Sequence, residues 1–259
     1  MERTLTYFVS DTHLGLQRDN PAGREARFVA FLRSIDPART ESLYMLGDIW
    51  DFWHEYRDVV PRGYVRVFAA LLDLLDAGVK VYFFPGNHDY WSYQYFEDLG
   101  IRRLSQPMVV EIGGKRFCLG HGDGLGPVNW QYRVIQGIFH NRVAQRLFAT
   151  LHPWLAFRWG MGWSASSRAS KRERYVFKGP EEPLYKYCAA FPEPVDYFIF
   201  GHYHCRVDMP VGKARLLLLS DWFDSSNWMV FDRENGLSVV YKDISGTSTT
   251  GGSSQKMDQ

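Results

Sequence analysis

Five short stretches of the 259-residue chain bring carboxylates, imidazoles and one amide together at close spacing: SDTH with Asp11 and His13, GDIWD with Asp48 and Asp51, GNHD with Asn87 and His88, HGDG with His121, and GHYH with His202 and His204. Carboxylate oxygen, amide oxygen and imidazole nitrogen together suit a borderline divalent cation such as Mn, Fe, Co or Zn, with no thiolate required. Asp11, His13, Asp48, Asn87, His88, His121, His202 and His204 are more donors than the roughly four to six places around one ion can take. Two ions about 3.5 to 4 Å apart, sharing one carboxylate, are the natural reading. Such a pair lowers the pKa of a bound water, clamps a phosphoryl oxygen and neutralises charge in an in-line displacement. A single histidine is more often a hydrogen-bonded core or surface residue. Five of the eight histidines fall in these motifs, whereas His54, His140 and His152 match none and are expected to pack or face solvent.

Each motif follows directly on an apolar run: LTYFVS before Asp11, SLYMLG before Asp48, VKVYFFP before Asn87, RFCLG before His121 and DYFIFG before His202. Such runs read as buried strands. In layered α/β folds the loops beyond the carboxyl ends of strands form the ligand crevice, so residues distant in sequence are expected to converge there. Glycines beside the ligands, among them Gly47, Gly86 and Gly201, allow tight turns and close approach of groups. Val67, Ala70, Leu71, Leu74 and Leu75 share a helical face, with Gly78 where a C-terminal cap belongs, which predicts a helix lying on the sheet. EIGGKRF reads as a hairpin turning at Gly113 and Gly114, and ARLLLLS, NWMVFD and LSVVY read as antiparallel strands, making the sheet mixed.

From about Pro127 to Lys178 strand signals vanish. Trp130, Trp154, Trp159 and Trp163 stand there among nine basic residues and one acid, Glu173. We read residues 127–190 as a helical insertion over the site, within one domain spanning 1–244, rather than as a separate domain. Scattered arginines on a solvated helical face are the plainer alternative. The tail 245–259, rich in Gly, Ser and Thr, buries too little apolar area to offset chain entropy and is expected to be disordered. With 30 basic and 29 acidic residues there is no whole-molecule field favouring a polyanion. Cys118, Cys188 and Cys205 form neither a disulfide framework nor a zinc spacing, which suggests the cytosol. The start MERTLTYFVSD shows no export signal, and no run of about 18 apolar residues suggests a membrane span.

As an ordered set, DTH, GDIWD, GNHD, HGDG and GHYH resemble the calcineurin-like metallophosphoesterases from Asp11 to His204. The resemblance implies a four-layer αββα sandwich. It assigns Asp11, His13, Asp48 and His204 to one metal and Asp48, Asn87, His121 and His202 to the other, with Asp48 as the bridge and Mn as the first choice of ion. His88 would not ligate. It would stabilise the phosphoryl group or give a proton to the leaving oxygen, oriented by a carboxylate such as Asp51. Asp89 and Asp123 are read either as orienters of ligands or as turn residues.

Within that family, GDIWDFW, an insertion after HGDG and the GHYH ending are most similar to the branch that hydrolyses UDP-2,3-diacylglucosamine in lipid A synthesis, although its best-known members carry Arg where this chain has His88. The resemblance implies an amphiphilic nucleotide-sugar lipid as substrate. Asn129, Tyr132, Arg168 and Lys171 would be substrate contacts, and the cytoplasmic face of the inner membrane would be the place of work, reached without an anchor. No nucleic acid is expected as a partner. A general phosphatase or phosphodiesterase, a nuclease of the same fold and a non-catalytic metal-binding scaffold remain as alternatives, and the oligomeric state is left open.

Overall fold

A computed structural model describes residues 2–18, 20–169, 175–243 and 248–252, with side chains to residue 162 and from 175 to 243. The apolar runs form strands in two sheets. The first contains β1 (Leu5–Val9), β2 (Thr40–Met45), β3 (Lys80–Phe83), β4 (Arg102–Arg103), β10 (Ser225–Asp232), β11 (Gly236–Asp243) and β12 (Ser248–Gly252), in the order β12-β11-β10-β1-β2-β3-β4. The second contains β5 (Met108–Ile112), β6 (Lys115–Leu119), β7 (Tyr197–Phe200), β8 (Val207–Val211) and β9 (Ala214–Leu218), in the order β5-β6-β7-β9-β8. Within the first sheet β1, β2, β3 and β4 run parallel, and within the second β6, β7 and β9 do. Parallel neighbours send their carboxyl ends to the same edge.

Both faces of these strands are buried, so the period of two divides their side chains between different cores. Val9, Leu43, Met45, Val81 and Phe83 face a cluster completed by α1 (Pro21–Ser34) and α2 (Val65–Asp76), through Phe28, Leu32, Val67 and Leu71. Their alternates Phe8, Tyr44 and Phe84 meet Phe117, Leu119, Ile199 and Leu217 of the second sheet in a core between the sheets. Cys118, Phe198, Phe200, Leu216 and Leu218 point the other way, onto Leu184 and Cys188 of α7 (Pro183–Ala189). Helix, sheet, sheet, helix is the four-layer order expected.

The predicted helix over Val67 to Leu75 is α2, and Gly78 closes it at φ +83°. The predicted hairpin pairs Ile112 with Lys115 across Gly113 and Gly114. ARLLLLS departs from expectation: β9 is antiparallel to β8 but parallel to β7, because it returns beside a buried central strand. Part of the tail departs too. Ser248–Gly252 pairs antiparallel with β11, since an edge strand needs only the backbone groups that β11 leaves open, not buried side chains. The rest of 245–259 lies outside the described residues.

After β6 come α4 (Trp130–His140), α5 (Arg142–Phe148) and α6 (Pro153–Ala169), then a short 3-10 helix, Gly179–Glu181. These helices rest on the loops beyond β2 and β3. Trp91 Nε1 donates to Phe139 O at 2.9 Å, Tyr56 donates to Leu151 O at 3.1 Å, and Tyr90 stacks on His140 with ring centres 4.0 Å apart. The four-residue α3 (Tyr95–Asp98) leads into β4.

Candidate metal centre

The five motifs meet at the edge where β1, β2 and β3 of one sheet and β6 and β7 of the other end. Their loops bond to one another as the strands do: Asp11 N–H donates to Gly47 O, His13 N–H to Asp48 O, and Gly201 N–H to His121 O. Asp11 also joins the two sheets, since its Oδ2 accepts from the His202 backbone N–H at 3.0 Å. Asp89 clips the Asp48 loop. Its carboxylate accepts from the N–H groups of Gly86 at 2.7 Å, Ile49 at 2.8 Å, and Asp48 and Trp50 at 3.2 Å each. Of the two readings open for Asp89, the structure supports the orienter.

Among the described residues seven other than glycine have positive φ, and five of them are Asp11, His13, Asp48, His202 and His204. Left-handed backbone costs an L-residue roughly 1 kcal/mol or more and persists only where the surroundings enforce it. That the strain falls on these residues marks the loops as shaped for a task.

The functional atoms converge. Asp11, His13, Asp48 and His204 each offer one donor atom within 4.8 Å of the others, the same four that the resemblance groups around one metal. His13 Nε2 faces His204 Nε2 at 3.0 Å, and Asp11 Oδ1 lies 3.3 Å from His204 Nε2 and 3.8 Å from His13 Nε2. Asp48 Oδ2 lies 3.8 Å from His13 Nε2 and 3.4 Å from His121 Nε2. Asn87 Oδ1 lies 3.0 Å from His202 Nδ1, and the His121 and His202 ring centres are 5.2 Å apart. Asp48 thus sits between the two groups, where a bridge belongs.

The His121 contacts test whether these donors fit a cation. Nδ1 lies 2.9 Å from Leu46 O, and a carbonyl only accepts, so Nδ1 carries the proton. Nε2 is then a buried atom with no hydrogen-bond partner, aimed at a carboxylate oxygen that also only accepts. Two acceptors facing each other in a dry site repel unless a proton or a cation lies between them. The protonation equilibria carry the same demand. Burial alone would raise Asp48, but His121, His88 and His13 outweigh it and hold that carboxyl well below its usual range. Burial likewise opposes the ionised form of Asp11 and is overcome by His204 and His121. Against its own burial, His121 is drawn well above its usual value by Asp48, while burial and His121 push His202 down to about 4. A centre this hungry for positive charge, built from carboxylate, imidazole and amide, fits divalent cations.

His88 stands beside this centre. Its Nδ1 donates to Asp51 O at 2.9 Å and its backbone N–H to Asp48 Oδ1 at 2.9 Å, which leaves Nε2 3.9 Å from Asp48 Oδ2. The expected orientation by Asp51 runs through its carbonyl, while its carboxylate lies 3.3 Å from His13 Nδ1, so one residue serves two rings. Sequence reasoning missed Asp221. It follows β9, and its Oδ2 lies 3.6 Å from His204 Nδ1. The wording LLLLSD repeats the pattern of YFVSD and YMLGD, and could have revealed it.

The four expected substrate residues fare differently. Asn129 is the N-cap of α4, accepting from Tyr132 N–H at 2.7 Å, and the Tyr132 hydroxyl lies 3.4 Å from Asp123 Oδ2. Both therefore have structural partners close to the HGDG loop. Arg168 lies on α6 with its side chain outside the described set, and Lys171 lies outside the described residues.

Next to Asn87 and His88 opens a cavity of about 320 Å³, walled by Phe52, Trp91, Phe139 and Phe148. His54 is fully buried behind it, edge-on to Tyr56, Trp91 and Phe148, and neither ring nitrogen has a hydrogen bond. Burial lowers its pKa to about 4.

Two predictions test these environments. A Cβ on Gly86 would stand 2.2 Å from Asp48 Oδ1, so Gly86→Ala should displace that carboxylate and weaken divalent-ion affinity by about tenfold or more, measured by calorimetry, with the circular dichroism spectrum retained. Because His54 binds its proton more weakly folded than unfolded, stability should fall as pH drops from about 6.5 towards 4, by about 2 kcal/mol at pH 5. His54→Phe should remove that part of the pH slope in denaturant melts.

The sequence profile of the calcineurin-like phosphoesterases matches residues 5–206. The chain is 36% identical over 250 residues to a UDP-2,3-diacylglucosamine hydrolase of Porphyromonas gingivalis, covering 89% of this chain and 95% of that protein. The enzyme of the same name from Serratia proteamaculans is 30% identical over 84% of this chain and 90% of its own length, and that of Vibrio cholerae is 26% identical over 92% and 98%. With the motifs, the four layers and the convergent donors in place, the chain belongs to the calcineurin-like phosphoesterases, a family of metal-dependent hydrolases.

Proposed function

We propose that the protein hydrolyses the diphosphate of UDP-2,3-diacylglucosamine to UMP and 2,3-diacylglucosamine 1-phosphate, at the cytoplasmic face of the inner membrane. The observation that carries this reading is the junction of an aromatic and aliphatic cavity with the convergent carboxylates and imidazoles: Asn87 and His88 belong to both. Phosphoester chemistry alone needs no apolar chamber. An acylated sugar nucleotide does, and the names of the relatives agree with it.

In this reading Asp11, His13, Asp48 and His204 hold one divalent ion, and Asp48, Asn87, His121 and His202 hold a second. Manganese is our first choice, because oxygen donors stand beside imidazoles without thiolate. The ions supply an activated water and neutralise charge on the phosphoryl oxygens. The chain's own residues do the rest. Asp48 sets the spacing of the two groups by lying between them, and Asp89 holds its loop still through four backbone N–H groups. His88, with Nδ1 fixed on the Asp51 carbonyl, offers Nε2 to the phosphoryl group. Water would supply the oxygen of the new P–O bond at the phosphorus nearer uridine and give up a proton to bulk solvent, while the bond from that phosphorus to the bridging oxygen breaks. The electron pair leaves on the sugar 1-phosphate, with His88 Nε2 placed to stabilise the phosphoryl group or to hand a proton to the leaving oxygen. The cavity holds an aliphatic part of the substrate and so orients the diphosphate.

Mn-loaded protein incubated with UDP-2,3-diacylglucosamine should release UMP and the 1-phosphate product, seen by mass spectrometry. Release of inorganic phosphate alone, or no turnover beside brisk hydrolysis of bis(p-nitrophenyl) phosphate, would reject that substrate. His88→Ala should lower turnover by about 10²-fold or more while metal content per chain stays unchanged. Ala144→Trp, which fills the cavity, should lower kcat/KM for the acylated substrate by at least about tenfold and cost little on the small diester.

A further inference from the structure

We infer that Gln106 is a positioning residue for the ion assigned to Asp48, Asn87, His121 and His202, and that it acts through the backbone on either side of His121. The inference rests on the two-ion assignment proposed above. Gln106 stands where the chain passes from β4 of the first sheet to β5 of the second. Its side-chain amide brackets the HGDG loop. Oε1 accepts from the Gly122 N–H at 2.7 Å, while Nε2 donates to Asp123 O at 3.2 Å and to Asp123 Oδ1. A Cβ on Gly120 would stand 2.7 Å from Gln106 Cβ and 2.9 Å from its Oε1, so the same side chain also lies against the residue before His121.

The loop needs such a bracket. Gly120, Gly122, Gly124 and Gly126 alternate through it, and Gly122 and Gly124 take φ of +106° and +72°. Glycine gives up more conformational freedom on ordering than any other residue, so a ligand carried between glycines keeps its place only where outside groups hold the chain. His121 has two such holds of its own: its Nδ1 donates to Leu46 O at 2.9 Å, and its carbonyl accepts from the Gly201 N–H at 2.9 Å. Gln106 takes up the N–H and the carbonyl that follow, and backbone groups in a dry site are costly to leave without a partner. These holds together set His121 Nε2 3.4 Å from Asp48 Oδ2. By engaging Asp123 Oδ1, Gln106 also turns Oδ2 toward the Tyr132 hydroxyl on α4, 3.4 Å away.

The effect is confined to one side of the centre. Among the described residues the Gln106 side chain hydrogen-bonds to Gly122 and Asp123 alone. The loops of Asp11 and His13 are held by other groups, Gly47 O and Asp48 O. Loss of Gln106 therefore loosens His121 and leaves Asp11, His13 and His204 in place.

The test is calorimetric titration of the full-length metal-free protein with Mn. His202→Ala removes a ligand of the same ion and so identifies its binding event. Gln106→Met keeps the length of the side chain without its hydrogen bonds, and should weaken that event by about tenfold or more while the other stays within about twofold of wild type. Gln106→Asn, an amide too short to span the loop, should show the same selective loss. At two equivalents of Mn the electron paramagnetic resonance signal of a spin-coupled pair, present in the wild type, should give way in both variants to that of isolated ions. Unchanged affinities and an unchanged coupled signal in both variants would overturn the inference. So would equal weakening of the two events, which is what a general loosening of the fold produces. A wild type that takes up a single ion would overturn the two-ion assignment and the inference with it, a result told apart from the others because it needs no variant.

Discussion

Two buried carboxylates, Asp11 and Asp48, point into one small volume with the ring nitrogens of His13, His121 and His204, and groups of this kind do not stay together without positive charge between them. The chain reaches that arrangement against resistance. Asp11, His13, Asp48, His202 and His204 are all held at positive φ. At roughly 1 kcal/mol each the five together reach on the order of 5 kcal/mol, comparable to the low end of a domain's whole stability. Such strain persists because the loops are tied down from several sides. Asp89 gathers four N–H groups, the loops hydrogen-bond to one another, and Gly86 and Gly201 leave room for the Asp48 and Asp11 carboxylates where a Cβ would stand 2.2 Å from an oxygen.

The four layers exist to deliver those loops. A parallel strand returns to the same edge as its neighbour, so β1, β2 and β3 present three loops together from one sheet, and β6, β7 and β9 three from the other. Packing the two sheets face to face through Phe8, Tyr44, Phe84, Phe117 and Ile199 brings both sets of strand ends beside one another. Neither sheet carries a complete donor set. His204 and Asp11 approach within 3.3 Å from opposite sheets, and Asp48 and His121 within 3.4 Å. The core between the sheets is therefore also what sets the spacing of the centre.

Much of this is legible in the sequence because the chemistry is concentrated at strand ends, where packing alone seldom places Asp, Asn or His directly after an apolar run. The donors fall into place for that reason, and β2, β3 and β7 show themselves as buried runs. What the sequence conceals depends on contacts between distant segments. Residue type points to the Asp51 carboxylate as the group that steers His88, but a backbone carbonyl does so and leaves no trace in residue type. Asp221 is overlooked while ARLLLLS reads as one more antiparallel strand, although LLLLSD repeats the apolar-run-then-Asp pattern, and the parallel pairing of β9 with β7 brings the residue to the site. The edge strand Ser248–Gly252 is hidden because hydrogen bonding to an open edge needs no apolar signature. Asn129 and Tyr132, expected as substrate contacts, have a helix cap and a partner in Asp123 as their contacts in the fold.

The distribution of charge bears on how one chain could serve the proposed substrate, which joins a diphosphate to acyl chains. Its totals nearly cancel, 30 basic residues against 29 acidic, so a property read from net charge would be close to nothing. The acids that matter are buried at the strand ends, where they gather cations, and the 49 residues from 124 to 172 contain none. Ile138 and Trp159, exposed at their outer ends, line the aromatic cavity that reaches Asn87 and His88. His88 belongs both to the cavity wall and to the charged cluster, so an amphiphile of the proposed kind would have its two halves meet there. Separating the signs in this way lets the head group be attracted without the tail having to enter the polar centre, which is the condition a phosphoesterase must meet to act on a lipid.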